Sequence, residues 1–325
     1  MPLPTASDVH VNAALSNISI AYMQEAAGFV ADKVFPIVPV QRQGDRYFVY
    51  NRGDLLRSEA ALRAPGTESA GGGFRLDNSA SYFCDVYAIH KNIDDQVRAN
   101  ADAAVNVEAD AARYVTQQLM MKRDRVWADG FFKTGIWDID LDGVAGAPAA
   151  GQFKRWDETD GTPIDNIMEQ SEAIMEKTGK RPNTLVLSAP VYRGLRNNEQ
   201  VIERIKYTQR GIVTTDILAS LLDLDRVIVA SATNNTAAEG AAVSTEFILG
   251  KSALLTYSAP NPSLLTPSGG YMFSWNGLMG AGPEGNRIKR YRMEHLAADR
   301  IEGEMSFDAK LVSSECGAFF ENAVS

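Results

Sequence analysis

The alternation of apolar and polar residues changes several times along the chain, and each change marks a predicted element. Residues 1–38 form the arm, and the run VFPIVPV at residues 34–40 spans its end, where Pro36 and Pro39 exclude a helix and a central strand. We therefore expect an arm, extended in part, that lies on another surface. The next run, DRYFVYNRGD, carries aromatic residues on both faces of a strand, and a second aromatic run, SASYFCDVYAIH, follows a segment rich in Gly, Ser and Arg.

Residues 39–90 therefore predict a long two-stranded β-hairpin with a flexible tip. An isolated two-stranded ribbon buries too little surface to be stable in water. We expect this hairpin to dock on a neighbour, and a second copy of the chain is the simplest one.

The stretch NVEADAARYVTQQLMMKRDRVWAD contains neither Gly nor Pro and predicts one long amphipathic helix. At about 25 residues and 1.5 Å per residue it would be roughly 38 Å long, which suits a spine for the subunit. Its apolar positions are Val107, Ala111, Val115, Leu119 and Val126. Its polar face, predicted to contact solvent or another subunit, carries Glu108, Asp110, Arg113, Lys122, Arg123 and Asp124.

A second unit begins after a loop rich in Gly, Asp and Ala over residues 135–161. Thr162 can cap a helix, Pro163 fits its first position, and Gly179 followed by Pro182 ends it. Strand TLVLS follows, and short helices near VYRGLRNN and TDILASLLDL alternate with strands RVIVAS, EFILG, ALLTYS and YMFSW. This unit predicts an α+β lobe, and strand-like runs return from Asn286 to the end of the chain.

Length and composition narrow the class of protein. The 325 residues suggest about two domains, and 45% apolar with 22% charged residues is typical of globular proteins. No apolar run of 18 residues and no signal-peptide pattern occurs, so we expect neither a membrane span nor export. The two cysteines, Cys84 and Cys316, favour a reducing compartment. The net charge of −9 disfavours sequence-specific nucleic-acid binding.

The residues that usually carry catalysis or bind metals are sparse. The three histidines, His10, His90 and His295, are dispersed, which argues against an enzyme. In DIDLDG, Asp138, Asp140 and Asp142 have the spacing that opens a calcium loop, but Ala149 occupies the position of the closing acid. We therefore predict a solvated turn there and no metal site.

Two further motifs lack the surroundings that a binding or catalytic site would need. GAGPEG, residues 280–285, matches the letters of a dinucleotide fingerprint, but a strand-like run follows it, so we predict a turn. Cys84 and His90 would share a strand face about 20 Å apart, too far for a nucleophile and its base. Cys84 is predicted to pack as a small apolar residue among aromatic rings. No catalytic residue, cofactor or metal site is predicted.

Arginines recur along the predicted hairpin and alternate with acids. They are Arg42, Arg46, Arg52, Arg57, Arg63 and Arg75, among Asp45, Asp54, Glu59 and Glu68. One interpretation is simply a soluble ribbon. We favour the other, in which these guanidinium groups pair with carboxylates of a neighbouring subunit, because the ribbon needs a docking surface. The six arginines are our candidate inter-subunit contacts.

Three passages stand out in the sequence: FPIVPV, GDRYFVYNRGDLLR with RAPGTES, and the C-terminal SFDAKLVSSECGAFFENAV. Through these passages and the order of its parts, the chain resembles the major capsid proteins of tailed bacteriophages with the Hong Kong 97-type fold, and the likeness extends over essentially the whole chain. It implies an α+β subunit with an N-terminal arm (1–38), an extended β-hairpin loop (39–90), a peripheral domain with the spine helix (91–160 and 286–325) and an α+β axial domain (161–285).

The resemblance also implies a function and partners. The chain would self-assemble into pentamers and hexamers of an icosahedral shell, with the extended loop over the adjacent subunit. The shell would enclose double-stranded DNA without sequence-specific binding, in a virion assembled in the host cytoplasm. A portal and a decoration protein are further implied partners. Because the chain begins directly with the arm, we expect a separately encoded scaffolding protein.

One departure from the family concerns covalent crosslinks. Some relatives weld their subunits through a lysine of the extended loop, but this chain has no lysine between Lys33 and Lys91. We therefore expect noncovalent contacts. Two alternatives to a capsid remain open from the sequence. They are an encapsulin-like nanocompartment shell and a two-domain cytoplasmic enzyme or binding module that uses the loop at residues 135–161.

Overall fold

A computed structural model describes residues 24–50, 52–101, 106–206, 213–262, 268–279 and 286–325. The strands in chain order are β1 (Ile37–Val40), β2 (Gly44–Arg46), β3 (Val49–Tyr50), β4 (Leu76–Asp77), β5 (Ser81–Phe83), β6 (Asp85–Asp94), β7 (Ile139–Val144), β8 (Gln152–Lys154), β9 (Thr184–Ser188), β10 (Arg226–Ala230), β11 (Thr233–Asn235), β12 (Thr245–Phe247), β13 (Ala253–Thr256), β14 (Gly270–Trp275), β15 (Asn286–Met293), β16 (Ala298–Leu311) and β17 (Gly317–Glu321).

The α-helices of the described residues are α1 (Ala31–Val34), α2 (Arg52–Leu55), α3 (Asp95–Asn100), α4 (Val107–Phe131), α5 (Pro163–Thr178), α6 (Ala189–Asn197), α7 (Glu199–Ile205), α8 (Thr215–Leu221) and α9 (Asn276–Met279). None of these helices is both long enough and apolar enough to cross a bilayer. The predicted turn at residues 280–285 and His10 lie outside the described residues.

The predicted spine helix is confirmed as α4. It begins where the Asn106 side chain accepts a hydrogen bond from the Ala109 N–H, and it packs on β16 and β6. Gly303 of β16 allows this close approach, because a Cβ atom there would lie 2.2 Å from Cγ1 of Val115. The prediction is wrong at Arg123 and Asp124, since these two side chains are buried, at 3% and 2% exposure, rather than solvated.

A five-stranded sheet lies under α4. Its order is β1-β14-β16-β15, with β6 on the other edge of β16, and only β1 runs parallel to its neighbour. The outer position of β1 agrees with Pro39, which cannot donate a hydrogen bond to a second neighbour. The strand-like runs predicted from Asn286 onward include the single 14-residue strand β16.

A six-stranded mixed sheet has the order β10-β9-β13-β17-β7-β8. Successive residues of its strands point to opposite faces, so Leu185 and Leu187 pack among α5 to α8, while Val186 packs on the α4 side. Helix α5 ends at Gly179, which has φ 67°, as predicted. Thr162 makes no side-chain capping bond; instead the Ile164 N–H donates to Oε1 of Gln200 from α7.

Each of the two sheets contains strands from both the predicted peripheral domain and the predicted axial domain, so neither sheet ends at the boundaries that we placed at residues 160 and 285. Strand β14 pairs with β16, whereas β7, β8 and β17 complete the sheet built on β9, β10 and β13. Strand β17 belongs to the six-stranded sheet because Phe319 and Phe320 pack into the hydrophobic cores on its two opposite faces. The division into arm, loop, peripheral domain and axial domain stays a prediction.

The described part of the arm packs on its own subunit. Val30, Val34 and Phe35 are fully buried between α4 and the six-stranded sheet. The Gln24 amide donates to the Thr233 carbonyl at 2.7 Å and accepts from its N–H at 2.8 Å. Residues 24–36, which we call the arm root, are therefore part of the subunit core, because their apolar side chains complete it. Residues 1–23 lie outside the described residues.

The predicted hairpin is present but its paired segments are short. β2 pairs with β5 and β3 pairs with β4, all antiparallel, and no strand occurs between residues 56 and 75. The returning strand does not stay in the hairpin, because β6 pairs with β16 over ten residues. Residues 85–90, which we assigned to the hairpin, therefore belong to the five-stranded sheet.

Candidate assembly surfaces

Large apolar side chains of the hairpin are directed to solvent. Each is at least 47% exposed, and together we call them the hairpin patch: Phe48, Leu55, Leu56, Leu62, Phe74, Leu76 and Phe83. A concentration of exposed apolar groups of this size on a soluble protein usually marks a binding surface. The hairpin patch is therefore the first candidate for a contact with another molecule.

The root of the hairpin is fixed to the five-stranded sheet. The ring of Tyr82 stacks on that of Phe273 at 4.4 Å between centroids, and the Phe83 N–H donates to Asp308 at 2.8 Å. Cys84 is fully buried among these aromatic groups, as predicted, and burial raises the pKa of its thiol to about 12. His90 is exposed. The hairpin patch is thus presented on a rigid base, and Cys84 stays a neutral thiol.

Most of the candidate arginines have partners inside the hairpin itself. Arg75 donates to both carboxylate oxygens of Asp54, at 2.9 and 3.2 Å, and these bonds hold the pKa of Asp54 below its usual range. Arg42 lies 3.7 Å from Asp45, and Arg57 lies 3.8 Å from Glu59. Arg63 donates to the Thr67 carbonyl.

The Arg46 N–H donates to the Asp45 carboxylate, and the side chain of Arg52 is outside the described residues. These pairs are exposed, so each contributes little stability to the isolated subunit. Their exchange for partners on a second subunit stays a prediction.

An ionic network closes the end of the five-stranded sheet. The Asp299 carboxylate accepts from Arg98 at 2.5 Å and from Arg290 at 2.9 Å, and Arg292 lies 3.6 Å away. Arg290 also donates to Glu108 of α4. These bonds from Arg290 and Arg98 hold the pKa of Asp299 below its usual range. The network joins β15, β16, α3 and the start of α4.

We predict that Asp299→Asn makes the subunit less stable at neutral pH and removes part of its acid sensitivity. A carboxyl whose folded pKa is depressed stabilises the fold above its unfolded pKa, about 3.9, and loses that contribution as pH falls through the folded value. Thermal unfolding at pH 7, 5 and 3.5 measures this. The gap between wild type and variant should shrink toward pH 3.5. Asp129→Asn, an exposed change on α4, is the control, and an equal gap at every pH would contradict the prediction.

The aspartates with calcium-loop spacing are held apart by separate partners. They lie at or on β7, so the predicted turn is a strand. Lys177 donates to Asp138, the Gly135 N–H donates to Asp140, and Asn322 donates to Asp142. Within the described ranges, no group of three or more His, Cys, Asp or Glu side chains is arranged to hold a metal ion.

A cavity of about 300 Å³ lies between the loop after β8, α6 and the C-terminus. Trp156, Asp157, Arg193 and Glu199 are among its lining residues. Burial opposes ionisation of Asp157, but hydrogen bonds from Ser325, a backbone hydrogen bond and the charge of Arg155 together outweigh it, so the pKa of Asp157 lies below its usual range. Asp157 is thus an ionised hydrogen-bond acceptor for the chain terminus and not a proton donor tuned to neutral pH.

Sequence reasoning missed Arg123 and Asp124 as interior residues. The signal was present, because Ala111, Val115, Leu119, Arg123 and Trp127 follow one another at every fourth position and therefore share one face of α4. All five side chains are buried. A charged residue such as Arg123 within a row of buried apolar residues indicates that the charge has a buried partner and does not face solvent.

The comparisons with known proteins agree with this architecture. No protein-family model matches the sequence. The chain is 28% identical to the major capsid protein of Burkholderia phage BcepMu over 234 residues. This alignment covers 68% of this chain and 69% of the phage protein. A phage-related protein from Bordetella bronchiseptica RB50 superposes with a TM-score of 0.68 at 21% identity, covering 96% of this chain and 97% of that one.

The capsid structure of cyanophage P-SCSP1u matches 97% of this chain and 93% of its own chain, with a TM-score of 0.61 at 12% identity. The chain has the fold of tailed-phage capsid proteins. The predicted fold class, an α+β subunit of the Hong Kong 97 type, is confirmed, and so is the resemblance stated from the sequence. The holo-SrpI encapsulin of Synechococcus elongatus PCC 7942 shares this fold, with a TM-score of 0.54 at 9% identity over 95% of this chain and 94% of its own.

Proposed function

We infer that the chain is a major capsid protein, a structural subunit that self-assembles into the icosahedral shell of a tailed phage. The observation that carries this inference is that a relative by sequence is a phage major capsid protein and that the structural similarity to phage proteins covers nearly the whole chain. The encapsulin resemblance is weaker in both sequence identity and fold agreement. The inferred role is non-enzymatic, and the inferred location is the capsid of the virion.

The hairpin patch is the surface that self-assembly would use first. Its root is bonded to β14 and β16, while the segment with Leu55, Leu56 and Leu62 has no strand partner in its own subunit. Covering such side chains releases about 25 cal/mol for each Å² of apolar surface. We propose that this segment lies over an adjacent subunit in pentamers and hexamers. The six hairpin arginines would then exchange some internal partners for carboxylates of that subunit.

The remaining partners follow from the proposed role. The shell would enclose double-stranded DNA without sequence-specific binding, and the net charge of −9 supports a lining that does not hold DNA tightly. A scaffolding protein, a portal and a decoration protein are proposed partners, and assembly would take place in the host cytoplasm.

Light scattering with negative-stain microscopy tests the proposal on the full chain, alone and with any scaffold encoded beside it. Closed shells, or discrete pentamers and hexamers, are expected. A strict monomer or dimer under both conditions would overturn the proposal and favour an enzyme or binding module. Nuclease-protected DNA in particles isolated from infected cells would support a phage shell, whereas a protein cargo without DNA would support an encapsulin-like compartment.

We predict that assembled particles dissociate into one band at 35.4 kDa on a denaturing gel. The reason is the absence of lysine between Lys33 and Lys91, which removes the group that forms an isopeptide crosslink in the loop of some relatives. Particles boiled with and without reducing agent make the measurement. A ladder of bands above the monomer in both samples would contradict the prediction.

A further inference from the structure

A buried polar cluster joins the arm root to the spine helix. The backbone N–H groups of Val30 and Ala31 donate to the two carboxylate oxygens of Asp124, at 2.8 and 2.9 Å. One residue earlier on α4, Arg123 reaches Asp32 of α1 at 3.1 Å. Asp32, Arg123, Asp124 and Trp127 form what we call the anchor cluster. It fastens a four-residue helix that would otherwise begin without a side-chain cap.

The anchor cluster has more hydrogen-bonding groups than its described residues satisfy. Four buried atoms have no partner there: Asp32 Oδ1, Arg123 Nε, Arg123 Nη1 and Trp127 Nε1. Arg123 and Trp127 are four residues apart and so lie on the same face of α4. Unpaired buried polar atoms destabilise the state that buries them. The contact between arm root and spine helix is therefore less stable than its apolar packing alone would make it.

The charges of the cluster are also unbalanced. Two carboxylates, Asp32 and Asp124, face one guanidinium, Arg123, and no other charged side chain of the described residues is among the groups that shift Asp124. Nearby, Arg226 of β10 donates to the Lys33 carbonyl, and Lys33 donates to the Ala27 carbonyl, so both cations are bonded elsewhere. One added proton would make the cluster neutral.

We propose that the arm root is a proton-dependent latch, closed on the spine helix when Asp124 is protonated and released more readily when Asp124 is ionised. Opening would expose the apolar side chains of Val30, Val34 and Phe35, which the closed latch buries. The latch is a property of one subunit, so it does not depend on the proposed capsid function.

Proton linkage determines whether low pH closes or opens the latch. Desolvation raises the pKa of Asp124 to about 6, against the opposing effect of the two backbone N–H groups and Arg123. A freed Asp124 would return to about 3.9, so the closed state binds the proton more tightly and lower pH favours closure. Between pH 7.5 and pH 5 the ratio of closed to open states should rise about tenfold.

Hydrogen exchange of the full-length dissociated subunit tests the latch. Protection factors, normalised to the intrinsic exchange rate at each pH, are measured for the amides of residues 30–35 at pH 5 and pH 7.5. We expect about tenfold higher protection at pH 5. Asp124→Asn should lose this pH dependence, because the amide does not titrate. Asp129→Asn, on the exposed side of the same helix, is the matched control and should keep it.

Asp32→Asn keeps the test decisive if Asp124→Asn does not fold. It removes the repulsion between Asp32 and Asp124, one of the two effects that raise the pKa of Asp124, so the response between pH 5 and 7.5 should become smaller while burial of Asp124 maintains the rest. Equal protection at both pH values in the wild type would overturn the proposal. An unchanged pH response in a folded Asp124→Asn variant, or a larger response in Asp32→Asn than in the wild type, would overturn it as well.

Discussion

Deletion of residues 55–73 is expected to abolish closed shells while leaving the subunit folded. The deleted segment contains Leu55, Leu56 and Leu62 of the hairpin patch, and it contains no strand. Its ends lie close together, because the Arg75 N–H donates to Asp54 at 3.0 Å, so a short glycine linker can join them. The root, held by Tyr82 on Phe273, is retained. The subunit core therefore loses none of its buried side chains.

Two measurements separate folding from assembly in this deletion. Circular dichroism and thermal unfolding should resemble those of the wild type, and negative-stain images should contain no closed shells. Val243→Ser, which removes an exposed apolar side chain outside the hairpin, is the control and should assemble normally. Normal shells from the deletion would refute the role assigned to the hairpin patch, whereas an unfolded deletion would show that the tip supports the subunit core.

Elements whose signals are local could be predicted from the sequence. The spine helix was predictable because its apolar residues recur at helical spacing without a Gly or Pro over residues 106–129. The end of α5 was predictable because Gly179 takes a left-handed conformation there. The outer position of β1 followed from Pro39. In each case the residue type itself restricts the backbone.

Features that depend on distant pairing could not be predicted. Strand β17 joins β13 and β7, about 60 and 180 residues away in the chain, and no local pattern specifies that register. The burial of Asp124 depends on the N–H groups of Val30 and Ala31, more than 90 residues earlier. The aromatic residues on both faces of the hairpin did indicate an uncovered surface, but the pairing of Arg75 with Asp54 depends on how the tip folds back.

The second large effect is expected from Trp156→Ala, which should lower the free energy of unfolding by about 3–5 kcal/mol. Trp156 is fully buried, and its ring lies 5.6 Å from that of Phe153 and 5.2 Å from that of Phe320 on β17. Its backbone N–H donates to the Ala323 carbonyl at 2.8 Å, and its carbonyl accepts from Asn198 at 2.9 Å. The substitution would leave a cavity where α6, α7 and the C-terminal strand meet.

Urea unfolding of the dissociated subunit, followed by circular dichroism, measures this loss. Phe247→Ala is the control, because it removes an aromatic ring that is 40% exposed and should cost much less. A loss below about 1 kcal/mol for Trp156→Ala would contradict the placement of β17 in the core of the six-stranded sheet. A loss in the expected range would support the packing of Trp156 between Phe153 and Phe320 in the core of this lobe.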